Sequence, residues 1–176
     1  MGEGESKEKS SSDFGSIYIQ TDAPFFLAGQ VVTGKIYLNI FQHYPAAFLD
    51  IQVKGKEKVK WYEYETHTDS DGKTEQRRVK RKGEHKILYT RIPLFKFAER
   101  VVAPGQYCFP FQFQLVNGIP GSLIISNDDL KAEVKYSIKG IIEPWKDTHI
   151  KSMKSKQLLI VREPVAGEYG NMFEDS

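Results

Sequence analysis

Four lysines, Lys54, Lys56, Lys58 and Lys60, fall on every second position of "VKGKEKVKW" (53–61). In an extended strand this spacing sets their ammonium groups in one row, about 6.6 Å apart. Like charges so close repel. An acidic or phosphate-bearing ligand would relieve that repulsion, and so would acidic side chains from a neighbouring strand. The plain alternative is a solvated outer face or a protected edge. A second basic set, Arg77, Arg78, Lys80, Arg81 and Lys82, suits membrane phosphates or an acidic partner, against the plain reading of a solvated hairpin.

Other residues with chemical potential lead less far. "GQVVTGKI" (29–36) has the G-x-x-x-x-G-K spacing from Gly29 to Lys35. Ile36 stands where a magnesium-binding hydroxyl belongs, and the segment reads on as an alternating strand, not as a helix N-terminus. A nucleotide-binding enzyme is therefore the weaker alternative, and glycines at a strand entry and a close-packed inner position are the simpler reading. His43, His67, His85 and His149 share no ligand spacing, and "DSD" (69–71) lacks the bidentate glutamate of a calcium loop. No metal, cofactor or catalytic set is implied. Cys108 has no basic neighbour in sequence and reads as an inert thiol. "MGEGES" fits the M-G-x-x-x-S pattern for a myristoyl group on Gly2, although acidic Glu3 and Glu5 suit a membrane anchor poorly.

Composition bounds the setting. The chain has 176 residues, 40% hydrophobic and 27% charged, with net charge +2. This fits one globular domain with tails and gives no argument for nucleic acid. No apolar run is long enough to span a bilayer as a helix, and no signal peptide is evident. One cysteine and no Asn-x-Ser/Thr acceptor fit a reducing, cytoplasmic setting, with peripheral association at plasma membrane or endosomes as a variant.

The elements that must position these residues have a period of two. Val32, Gly34, Ile36, Leu38 and Ile40 alternate with Thr33, Lys35 and Asn39. Leu49, Ile51, Val53, Val59 and Trp61 alternate with Gln52 and the lysine row. Leu130, Ala132, Val134, Tyr136, Ile138 and Ile142 alternate with Lys131, Glu133, Lys135 and Lys139. Shorter strands are expected at 16–20, 85–90 and 154–161, and one or two helical turns at 93–100. Some seven strands imply an all-β fold, an antiparallel sandwich of immunoglobulin-like layout. In "YCFPFQFQL" (107–115), Phe109, Phe111 and Phe113 then fill the core. Asp71-Gly72 predicts the turn of a charged hairpin arm. Residues 1–14 read as a disordered tail, and 165–176 as a linker.

The order of these segments resembles the N-terminal domain of arrestins, closest to the α-arrestin branch, over residues 15–164. The carrying features are Gly29 and Gly34 flanking the second strand, then Val53-x-Gly55 with Trp61. Pro104-Gly105, Phe109-Pro110-Phe111, Pro120-x-Ser122 and Tyr136 with Lys139-Gly140 follow. The retromer subunit of arrestin fold matches less well. The resemblance implies a non-catalytic adaptor that recognises membrane cargo or receptor segments and links them to trafficking or ubiquitination machinery. It also implies a second similar domain after the linker. Two departures stand out: "SIYIQTD" (16–22) lacks the paired lysines of phosphate-sensing arrestins, and no Pro-Pro-x-Tyr motif occurs. An open strand edge at Ile17, Tyr18, Ile19 and Gln20 is the expected place for an acidic or phosphorylated peptide to add as an extra strand.

Overall fold

The computed structural model describes residues 10–145 and 149–165. Among the described residues there are eleven strands: β1 (Ser10–Ser12), β2 (Gly15–Thr21), β3 (Phe26–Leu27), β4 (Val31–Ile40), β5 (Ala46–Thr68), β6 (Thr74–Lys96), β7 (Gly105–Gln114), β8 (Leu123–Ser126), β9 (Leu130–Pro144), β10 (Met153–Leu159) and β11 (Val161–Arg162). Four of them are pieces of two to four residues, too short to carry a periodic signal, which is why the sequence suggested seven. In place of helical turns at 93–100, β6 runs to Lys96 and a single 3-10 turn covers Ala98–Arg100.

Two antiparallel sheets face each other. One has the order β1-β2-β4-β7. The other has the order β10-β9-β5-β6, with β8 also paired to β9. β11 and β3 form a small parallel pair. The alternation read from sequence holds where the sheets overlap. Ile17, Ile19, Val32, Ile36, Leu38 and Ile40 meet Leu49, Ile51, Val53, Tyr136, Ile138 and Ile142, all buried. Each such aliphatic side chain contributes roughly 1.5–3 kcal/mol by leaving water.

The aromatic strand behaves less uniformly than expected. Phe111 is buried, but Phe109 and Phe113 are only half-buried against the core. The reason is position: β7 ends the four-stranded sheet and β6 ends the other, so the seam between them is left partly open. Pro110, which has no N–H to donate, fits such an edge. Cys108 lies on the outer side of β7 and is exposed, as its alternation with the inward-facing rings implies. The polar start is structured from Ser10 onward, because β1 folds back on β2 and Phe14 packs on Tyr44 at 6.0 Å between ring centres. Gly2 and most of the expected linker lie outside the described residues.

β5 and β6 continue past the core as a long hairpin arm. Its turn follows from Asp69 and Gly72: the Asp69 carboxylate accepts N–H bonds from Asp71 and Lys73, while Gly72 adopts φ +76°. Beyond the four-stranded sheet no described residue covers the arm's inner face, so Trp61 is half-buried and not a core residue as its spacing suggested. Its indole N–H donates to Glu63 at 2.9 Å.

Candidate basic site on the five-stranded sheet

Register decides which basic residues meet. β5 pairs with β6 on one side and β9 on the other, bringing Lys60 opposite both Lys82 and Lys131. Lys58 lies between Glu84 and Glu133, and Lys56 between Lys86 and Lys135. Neighbouring strands are about 4.8 Å apart, so each set forms a transverse row on the sheet's outer face. A bulge on β6 at Ile87, between the pairs Gly55–Leu88 and Lys56–Lys86, puts Lys86, Glu84 and Lys82 on the lysine face.

The rows differ in how their charge is met. Lys56 bonds Glu84 at 2.6 Å, and Lys135 pairs with Glu133 at 3.3 Å. The Lys56 hydrogen bond and charge, with Lys58 adding, hold the Glu84 carboxyl below the usual carboxylate range. Lys54 and Lys86 lie over the Tyr89 ring, at 5.5 and 5.2 Å from its centre. Lys58, Lys60, Lys82 and Lys131 are exposed and form no ion pair with any described residue. They line a shallow hollow of about 320 Å³ with Glu84, Glu133 and the strand backbone at Val59 and Gly83. Like charges opposite one another destabilise a sheet, and an anion seated there removes that cost.

The second basic set is divided. Strand alternation and pairing put Lys80 and Arg78 on the lysine face, opposite Tyr62 and Tyr64, and turn Arg77 and Arg81 to the other. Arg78 stacks over Tyr62 at 3.7 Å and pairs with Asp129 at 3.4 Å. Arg81 is held by Glu63 and Glu65. Only Lys80 and Lys82 of that set extend the lysine face without a described ion pair. Lys131 completes the unpaired row and was missed as a site residue, because it lies some seventy positions away in sequence. The available signal was the "LKAEVK" alternation, read only as an outer face.

The strand-addition edge is not open as expected. β1 covers Gly15–Ile17, and beyond it the outward amides are capped by β10 side chains. Ile19 N–H donates to Ser155 Oγ at 3.0 Å, and Thr21 N–H donates to Gln157 Oε1 at 3.1 Å. Alternation turns the amides of Tyr18 and Gln20 toward β4. An incoming strand would first have to displace these partners.

Gly29 to Lys35 makes no phosphate loop. Gly29 occupies a turn at φ +83°, Gly34 sits mid-strand against Phe111, and β4 continues through Lys35 to Ile40. Among the described residues no group of His, Cys, Asp and Glu could hold a metal ion, and no helix is long and apolar enough to cross a membrane.

Comparison with known proteins fits this architecture. Residues 15–165 match the family described as "Arrestin (or S-antigen), N-terminal domain". "Arrestin domain-containing protein A" of Dictyostelium discoideum is 25% identical over 154 residues, a match covering 84% of this chain and 26% of that protein. The chain thus spans about a quarter of its relative's length. The solved structure of Spo0M, a sporulation control protein of Bacillus subtilis, aligns with TM-score 0.45 and 12% identity. That alignment covers 85% of this chain and 50% of that one, and it is too weak to carry an argument. With the family match spanning nearly the whole described sandwich, the chain belongs to the arrestin family and carries its N-terminal domain.

Proposed function

We propose that the protein is a non-catalytic adaptor whose basic sheet face holds an acidic or phosphorylated extended segment of a membrane cargo or receptor. The observation that carries this reading is the row Lys60, Lys82 and Lys131, three facing lysines on adjacent strands with no described carboxylate partner. A rigid sheet fixes their spacing at little entropic cost on binding. Their flexible stems let each ammonium reach the anion without a set geometry, so affinity is weak and salt-sensitive. The relative's name, an arrestin domain-containing protein, supports an adaptor-type role in general. Links to trafficking or ubiquitination machinery, and a second arrestin-like domain, belong to the same proposal.

The test is an amide-resolved NMR titration with a short unstructured acidic peptide, with and without phosphoserine, at low and high salt. Shifts are expected around 56–61, 82–85 and 131–134, fading as salt rises. Shifts confined to 16–21 or to the arm tip at 67–75 would contradict the reading.

A further inference from the structure

The end of the sandwich opposite the arm has a different surface. There the chain leaves β4 at Ile40, enters β5 at Ala46, leaves β6 at Lys96 and leaves β9 at Pro144. Backbone bonds tie the loops together. Tyr44 and Val102 exchange N–H···O bonds at 3.0 and 2.8 Å, and Trp145 N–H donates to the Pro45 carbonyl at 3.0 Å. Phe41 N–H donates to the Phe14 carbonyl at 2.8 Å. From this fixed base Phe41, Val101 and Trp145 project, 58%, 39% and 39% exposed.

Cations accompany them. Arg100 stacks over the Trp145 ring at 5.1 Å, and Lys96 is exposed on the same rim. Glu99 and Arg100 both adopt left-handed backbone, at φ 55° and 57°. This conformation is disfavoured for side-chain-bearing residues and persists only where surrounding structure enforces it. Here it sets Arg100 beside Trp145. Of the described carboxylates at this end, Glu143 and Asp50 are engaged by Arg91, at 3.1 and 2.8 Å, while Glu99 of the turn and Asp13 beside Phe14 are exposed acids.

We propose that this end docks on an anionic lipid surface, with Phe41, Val101 and Trp145 entering the headgroup layer and Arg100 and Lys96 meeting lipid phosphates. Apolar side chains projecting from loop tips, with cations beside them, suit entry into a lipid headgroup layer. Indole rings prefer the membrane interface, where the ring is desolvated and its polar atom stays wet. Each cation near an anionic surface adds attraction. The site is separate from the lysine row and does not depend on it.

The test uses Trp61→Phe, which leaves Trp145 as the sole tryptophan. Its emission is followed with phosphatidylcholine vesicles, with and without phosphatidylserine. A blue shift is expected with the anionic vesicles. Phe41→Ser with Val101→Ser should weaken partition about tenfold or more, and Arg100→Gln about fivefold. Circular dichroism checks that each variant is folded. An unchanged spectrum with anionic vesicles would overturn the proposal. So would vesicle binding that survives these changes but is lost in Lys60→Glu with Lys82→Glu, since that locates lipid on the sheet face.

Discussion

Gly34 on β4 lies opposite Phe111 on β7, and the Phe111 ring fills the space that a side chain at position 34 would need. The Gln20 backbone carbonyl closes the same space from β2, and backbone cannot swing aside. Gly34→Ala should therefore cost about 1–3 kcal/mol by overpacking, and Phe111→Ala about 3–5 kcal/mol by leaving a cavity. Urea unfolding midpoints measure both. A neutral Gly34→Ala would mean that β7 is not fixed against the core.

The arm should tolerate what the core does not. Trp61→Ala is expected to cost about 1 kcal/mol, well below the Phe111 change, because no second sheet covers the indole. Lys58→Ala should stay within about 0.5 kcal/mol. If Trp61→Ala proves as costly as Phe111→Ala, some surface covers the arm's inner face in solution.

Alkaline pH should weaken the fold through two phenols. Burial pushes Tyr44 and Tyr136 from the ordinary 10.0 up to about 12. The Tyr44 hydroxyl donates to the Lys151 carbonyl at 2.9 Å, and the Tyr136 hydroxyl to the Pro120 carbonyl at 2.6 Å. A raised folded-state pKa means the native state favours the neutral phenol. Its contribution is therefore complete below about pH 10, declines between roughly 10 and 12, and is gone above. Unfolding midpoints measured from pH 9 to 12 should fall, and Tyr44→Phe should flatten the fall. An unchanged slope in Tyr44→Phe would contradict the assignment.

The hairpin turn gives a local prediction. Gly72 sits at φ +76° with open space around it, so Gly72→Ala meets no clash but must hold an unfavourable backbone. A cost of about 1 kcal/mol is expected, confined to the arm. Hydrogen exchange should speed up near 66–76 and stay unchanged in β4 and β9.

Much of this fold was legible because burial follows a period of two. Val32, Ile36, Leu38 and Ile40 alternate in sequence as they alternate in space, and the family resemblance rested on the same pattern. The bulges were not legible: the extra residues Leu94 and Ile87 shift the β6 register without changing composition. Gln52 reads as an outer-face residue, yet it is buried because its side-chain amide donates to the Tyr89 hydroxyl at 2.9 Å. The lysine row was visible only along β5. Whether it is neutralised depends on cross-strand neighbours, and these leave Lys60 facing Lys82 and Lys131 while giving Lys56 a glutamate. The capping of β2 by Ser155 and Gln157 likewise joins residues 136 positions apart.

The most direct test of the central claim is peptide affinity in charge-reversed variants. An acidic, phosphoserine-bearing peptide is titrated by fluorescence anisotropy into the parent protein, into Lys60→Glu with Lys82→Glu, and into Arg77→Glu on the opposite face of the arm. The basic-row account predicts at least about a tenfold loss in the lysine variant, with a shallower salt dependence, and little change in Arg77→Glu. Equal affinity for the lysine variant and the parent would contradict it.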